Sequence, residues 1–292
     1  MKKIDRLGWA AGFSFLSYGN RVGIRTNSPE LMDRMLDLIP PGWEPVRSPF
    51  VDRLYSVFVP RGNGQSSKVR RLNLVYGDLD RIARTPVLDD ALALMESNLQ
   101  IYTAALAKNR VFVHAGAVGW RGRAIVIPGR SFSGKSSLVV ELVRAGATYY
   151  SDEYAVFDRH GHVHPYARSL SIREKATGQT ERFPVGSLGG VAGVEPLPVG
   201  LVVASTYKPG AHWRPRNLSP GLAVLALLSH ALPARRQPRT ALEVLQRAVK
   251  RACVVKSPRG EAREVVDAIL EIAHDQRNEF PFFGPESLGI VS

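Results

Sequence analysis

Nine consecutive residues constrain this chain more than any others: Gly129-Arg130-Ser131-Phe132-Ser133-Gly134-Lys135-Ser136-Ser137. They fit G-x-x-x-x-G-K-[ST], a loop whose backbone N–H groups close round phosphate oxygens. Such a loop works only between a strand that enters it and a helix that leaves it. Both flanks agree. Residues 123–128 form a short apolar, β-branched run that reads as a buried strand. Residues 137–145 read as a helix, and Gly146 stands where a left-handed C-terminal cap is expected. The glycines let the backbone approach phosphate closely. Lys135 is placed to bring an ammonium to the β- and γ-phosphates, and the Ser136 hydroxyl to ligate Mg²⁺. A nucleoside triphosphate, ATP or GTP, is the expected ligand.

Composition sets the remaining bounds. The chain has 292 residues, 45% of them hydrophobic, enough to bury a sizeable core in one large or two ordinary domains. The single cysteine, Cys253, rules out an intramolecular disulfide and a Cys-based zinc site. The start, with Lys2, Lys3 and Asp5, lacks an uninterrupted apolar segment behind it, and the longest apolar run, 221–232, falls short of the ~20 residues a membrane span needs. A cytoplasmic protein with no membrane association is expected. The net charge of +13 is spread along the chain, with small groups at Lys68-Val69-Arg70-Arg71, Arg235-Arg236 and Lys250-Arg251. No zinc-finger, homeodomain or RNP pattern accompanies them, so a basic surface for phosphate or an acidic peptide is preferred over nucleic-acid binding.

Residues 1–108 read as a small α+β region without chemical signature, and 109–292 as the catalytic domain. In the first part, strands are expected over 13–18, 21–25, 54–60 and 69–76, with a loop over 61–68. Helices are expected over 28–38 and 89–108. In the second part, 111–118 and 123–128 form strands about a turn at 120–123. The stretch 148–157 follows, with a strand end at Asp152-Glu153, then a turn at 159–162 and a return strand through Val163 and Tyr166. Further strands are expected over 169–174, 200–207 and 252–256, and helices over 241–251 and 260–273.

A phosphate loop does not name a reaction. Asp152-Glu153 comes soon after the loop helix, where the next core strand should end. In such proteins a carboxylate there holds Mg²⁺ or its water shell, and a second takes the proton of an attacking hydroxyl. Ser136, Asp152 and Glu153 are therefore the candidate metal ligands. His114 lies in the apolar run that leads into the hairpin delivering the loop. Neutral, it would orient a hydroxyl; charged, it would stabilise a phosphoryl group in transfer.

Taken together, Val113-His114-Ala115-Gly116, the loop from Gly129 to Ser137, and Ser151-Asp152-Glu153 resemble the HPr kinase/phosphorylase family in order and spacing. The closest resemblance is to the HPr kinase-related proteins associated with peptide-modifying gene clusters. The resemblance is good over roughly 111–157 and looser elsewhere. It implies an α/β fold, a P-loop kinase core of the HPr kinase and phosphoenolpyruvate carboxykinase type. It also implies that one of Asp152 and Glu153 is the base, the other lies near the metal, and His114 lines the phosphoryl site. Arg173 is a candidate for stabilising the transferred group. The Arg-rich segment that follows the acid pair in HPr kinases is not recognisable here, so the resemblance carries neither HPr as acceptor nor the phosphorylase reaction.

The expected function is an ATP- and Mg²⁺-dependent serine-type kinase acting on a Ser or Thr hydroxyl of a peptide or protein. The alternatives are a small-molecule, sugar-type kinase and a P-loop NTPase or NTP-binding regulator without kinase activity. No N-K-x-D guanine motif, L-S-G-G-Q segment or helicase motif is present. A homo-oligomer is left open.

Overall fold

The computed structural model describes residues 3–60, 71–130, 133–173 and 180–275. It is a mixed α/β chain that divides into two compact units. The first contains the residues up to Phe112 together with Ala231–Ala241; the second contains Val113–His230 and the chain from Leu242. Among the described residues no helix is long and apolar enough to cross a membrane.

In the first unit the elements are β1 (Ala11–Ser17), β2 (Asn20–Thr26), α1 (Met32–Leu36), β3 (Trp43–Pro45), β4 (Arg53–Phe58), β5 (Asn73–Gly77), β6 (Asp80–Thr85) and α2 (Leu88–Leu106). The strands make one sheet in the order β3-β1-β2-β4-β5-β6. The tight β1–β2 turn holds Tyr18 and Gly19 at positive φ, 47° and 83°. On α2 the residues Leu92, Met95 and Leu99 recur at helical spacing, and they join Phe15, Ile24, Tyr55 and Val75 of the sheet in one buried cluster. Each such side chain, fully buried, contributes roughly 1.5–3 kcal/mol of transfer free energy. The helix expected over 28–38 is shorter than its pattern suggests. A 3₁₀ turn, Pro29–Leu31, precedes a helix of only five residues, which gives way to a turn before Pro40 and Pro41. The loop expected over 61–68 lies outside the described residues.

The second unit runs β7 (Val111–Trp120), β8 (Arg123–Pro128), α3 (Lys135–Arg144), β9 (Thr148–Ser151), β10 (Tyr154–Phe157), β11 (His162–His164), β12 (Leu170–Arg173), β13 (Thr180–Phe183), β14 (Leu197–Tyr207), β15 (Arg216–Asn217), α4 (Pro220–Leu228), α5 (Pro238–Val249), β16 (Cys253–Arg259) and α6 (Val266–Asp275). Its main sheet has the order β11-β10-β7-β8-β14-β16-β15, with β9 also paired to β7. β12 and β13 form a separate two-stranded ladder. Leu138 and Leu142 of α3 and Ile269 and Leu270 of α6 pack in one cluster with Ile125, Ile127, Leu201 and Val203 of the sheet.

Strand direction decides where chemistry collects. β8, β14 and β16 are mutually parallel. β7 is antiparallel to both β8 and β9, so β9 runs the same way as β8. Pro128, Ser151, Tyr207 and Arg259 therefore end their strands at one edge. Ala115 pairs with Pro128, which brings the start of β7 to that edge as well. This is the edge at which parallel α/β sheets bind ligands. The stretch 148–157 divides at Asp152-Glu153, where a strand end is expected. There the buried Ser151 hydroxyl accepts from the N–H groups of Glu153 at 3.1 Å and Tyr154 at 2.9 Å, which bends the chain between β9 and β10.

Candidate active site

The loop between β8 and α3 carries Gly129, Arg130, Ser133 and Gly134; Ser131 and Phe132 lie outside the described residues. Gly134 is the N-cap of α3, with φ 84° and ψ 16°, a left-handed conformation. A side chain there would meet the Arg259 Nη2 atom at 2.5 Å. Gly129 is buried, its N–H donates to the His114 carbonyl at 3.3 Å, and a Cβ on it would stand 2.5 Å from the Ser133 hydroxyl. Gly134 thus holds a backbone conformation that other residues rarely adopt, and a side chain at Gly129 would displace the Ser133 hydroxyl. Ser136 and the exposed Ser137 follow in the first turn of α3, whose N-terminus adds its positive dipole end to the loop.

Lys135 is the first residue of α3 and only 7% exposed. Its ammonium donates to the Arg130 carbonyl at 2.8 Å, folding the side chain back over the loop. Burial pulls its pKa down to about 8, against the opposing influence of Asp152 and Glu153. Asp152 is also 7% exposed. Its Oδ2 accepts from the Ser136 hydroxyl at 3.0 Å, and its Oδ1 from the Tyr149 hydroxyl at 3.0 Å. Burial and the neighbouring Asp152 raise the Tyr149 pKa, so this phenol stays a donor. Glu153 is exposed; its carbonyl accepts from the Ala115 N–H at 3.0 Å, tying the acid pair to β7.

His114 reaches the same edge. Its N–H donates to the His230 carbonyl at 2.8 Å, and its ring lies 5.9 Å from that of Tyr154. Burial, with Lys135 and His230 adding, pushes its pKa down to about 4. His230 is lowered for the same reasons, burial first and then Lys135 and Arg130. Both imidazoles are therefore neutral at pH 7. Arg173 closes β12, paired there with Thr180; its side chain lies outside what the structure describes. The structure therefore brings Gly129, Arg130, Ser133, Gly134, Lys135, Ser136, Ser137, Asp152, Glu153 and His114 to one edge, and does not place Arg173 on the sheet that carries them.

Two features fit a phosphate and a hard cation. The Ser133 hydroxyl is buried and has no hydrogen-bond partner among the described residues, an unmet group at the centre of the loop. Ser136 and Asp152 present hydroxyl and carboxylate oxygens side by side, the donor type Mg²⁺ takes alongside phosphate oxygens and water. Among the described residues no group of three or more His, Cys, Asp or Glu is arranged to hold a metal by itself.

No family model matches the chain, and no curated protein matches it. Among solved structures, the HPr(Ser) kinase/phosphatase from Coxiella burnetii is similar at 15% identity and a TM-score of 0.33, over 57% of this chain and 95% of that chain. The functional reading therefore stands on the geometry of the site itself.

Three residues of this edge carry no local sequence signal. Tyr149 holds the Asp152 carboxylate. His230 approaches from the end of α4. Arg259, 1% exposed at the end of β16, donates to the Gly134 carbonyl at 2.6 Å and to the Gly260 carbonyl at 3.0 Å. Its guanidinium lies 5.8 Å from the Tyr207 ring centre. It joins the loop across 125 positions of sequence, a distance at which no motif operates.

Proposed function

We propose that this site binds ATP with Mg²⁺ and transfers the γ-phosphoryl group to a hydroxyl, that of a Ser or Thr in a peptide or protein. The observation that carries this reading is the 3.0 Å contact between the Ser136 hydroxyl and the Asp152 carboxylate, made next to the buried Lys135. A phosphate loop joined in this way to a strand-end carboxylate has the parts for positioning a γ-phosphate and neutralising its charge. Lys135 and the N–H groups of the loop hold the phosphates. Ser136 and Asp152 would hold the cation, which would neutralise charge on the phosphates. The more exposed Glu153 takes the hydroxyl proton as the acceptor oxygen bonds to the γ-phosphorus. The bond to the β–γ bridging oxygen breaks, and ADP leaves with that electron pair. The order of His114, loop and acid pair, which resembles HPr kinases, supports the serine-type acceptor.

Labelled ATP incubated with a cell lysate tests the reading. Transfer of label to protein, lost in Lys135→Ala, is the expected result. Asp152→Asn should keep ATP binding and slow transfer by roughly 10²–10⁴-fold. Label released only as inorganic phosphate would identify an NTPase instead, and label on a metabolite a small-molecule kinase. Transfer that survives Lys135→Ala would remove the loop from the chemistry.

A further inference from the structure

A cleft of about 480 Å³ opens from the phosphate loop on the side of β14. Its volume lies in the range of roughly 300–1,000 Å³ typical of small-molecule sites. Gly129, Arg130 and Ser133 form its floor, so the cleft and the loop are continuous. One wall is α4, a helix apolar along its whole length. Leu222 and Ala226, four residues apart, turn the same face to the cleft, with Leu218 before them. Leu222 remains 52% exposed there. The polar Ser229 and His230 follow the helix, and the strand side carries Ala204 beside polar groups. Ser205 and Thr206 come from the end of β14, and Lys256 from the neighbouring β16. Lys256 is held in β16 between β14 and β15. None of the described residues lining the cleft is a carboxylate.

We infer that this cleft receives the nucleoside of the donor nucleotide, with the base lying on Leu222 and Ala226 and its polar edges and ribose turned to Ser205, Thr206 and Lys256. The inference rests on the phosphotransferase reading and extends it. A purine has two apolar faces and a rim of donors and acceptors, and the two walls match that division. Charge points the same way. Asp152 and Glu153 follow β9, which pairs with β7, whereas the cleft lies beyond β8 along β14. A triphosphate on the loop then has its γ-end by the acids and its nucleoside end in the cleft. The acceptor hydroxyl consequently enters from the side of Glu153, in line with the bond that breaks.

The test separates the nucleoside from the phosphates. ATP, GTP and inorganic tripolyphosphate are titrated into the wild-type protein, Ala226→Trp, Leu222→Asp and Lys135→Ala, with Mg²⁺ present. Ala226→Trp fills the cleft, and Leu222→Asp places a charge on a side chain already in solvent. Both are expected to bind tripolyphosphate as the wild type does. Both should bind the preferred nucleotide at least tenfold more weakly, towards its affinity for tripolyphosphate. Unchanged nucleotide affinity in Leu222→Asp, with tripolyphosphate binding intact, overturns the inference whether or not Ala226→Trp folds. If Lys135→Ala leaves all three ligands bound, it is the loop reading that fails.

Discussion

Gly134 stands where backbone geometry and neighbouring charge meet. Its φ of 84° costs a residue with a Cβ roughly 1–2 kcal/mol, and that Cβ would strike the Arg259 guanidinium at 2.5 Å. Gly134→Ala should therefore lower stability by at least that amount in urea unfolding and weaken tripolyphosphate binding together with it. Arg259→Met separates the two effects. It retains apolar bulk at the end of β16 but leaves the Gly134 carbonyl without its 2.6 Å donor. The expected outcome is a site that binds tripolyphosphate more weakly, measured by titration, in a protein whose unfolding midpoint moves less than for Gly134→Ala. Lys135 and Asp152 were legible from the sequence because loop and acid pair obey fixed local spacing. Arg259 was not, because it meets the Gly134 carbonyl across 125 positions of sequence, nor was His230, which meets the His114 N–H only once β7 and the end of α4 come together; Tyr149, three residues before Asp152, lies within the window but belongs to no motif.

At the scale of elements, the bend between β9 and β10 controls where the acids point. The Ser151 hydroxyl, 2% exposed with its residue, accepts from two consecutive N–H groups. Ser151→Ala leaves both buried donors unmet, at a cost of about 1–3 kcal/mol. It should also reduce transfer, since Asp152 and Glu153 are the bent residues. Urea unfolding and the labelled-phosphate assay read the two consequences. The strand end expected at Asp152-Glu153 is found there, but its cause is not visible in the pattern of residues: a serine hydroxyl competes with the ladder for backbone donors, which periodicity cannot see. Where no side chain competes, as in β8 over Arg123–Pro128, the expected and observed strands coincide. Helix α4 shows the converse. Its run of apolar residues was visible, but its role as one wall of a cleft depends on which face β14 leaves uncovered.

At the scale of the whole molecule, the buried basic groups tie stability to pH. His114 titrates near 4 in the folded protein and near its ordinary 6.5 when unfolded. Between those values the unfolded chain holds a proton that the folded chain does not, so acidification from about pH 6.5 towards 4 costs stability. His230 acts in the same direction, being lowered by burial, Lys135 and Arg130. Lys135, near 8 folded and 10.5 in its ordinary state, makes stability rise with pH between those limits. His114→Gln has no such proton to take up. Its stability should fall less than that of the wild type between pH 7 and pH 5, measured by urea unfolding at both. Bound triphosphate should oppose the Lys135 effect, because a polyanion favours the charged ammonium.

The segment Ala231–Ala241 belongs with the first unit although the second begins at Val113. Within that segment the 3₁₀ turn Leu232–Arg235 packs against α2. During synthesis the ribosome therefore releases α2 long before the turn that covers it. More than a hundred residues of intervening chain, the phosphate loop among them, emerge in between. Nascent chains usually fold domain by domain from the N-terminus. Here the earliest unit can finish only after most of the later one has appeared, so a stall within the loop helix would leave both units incomplete at once.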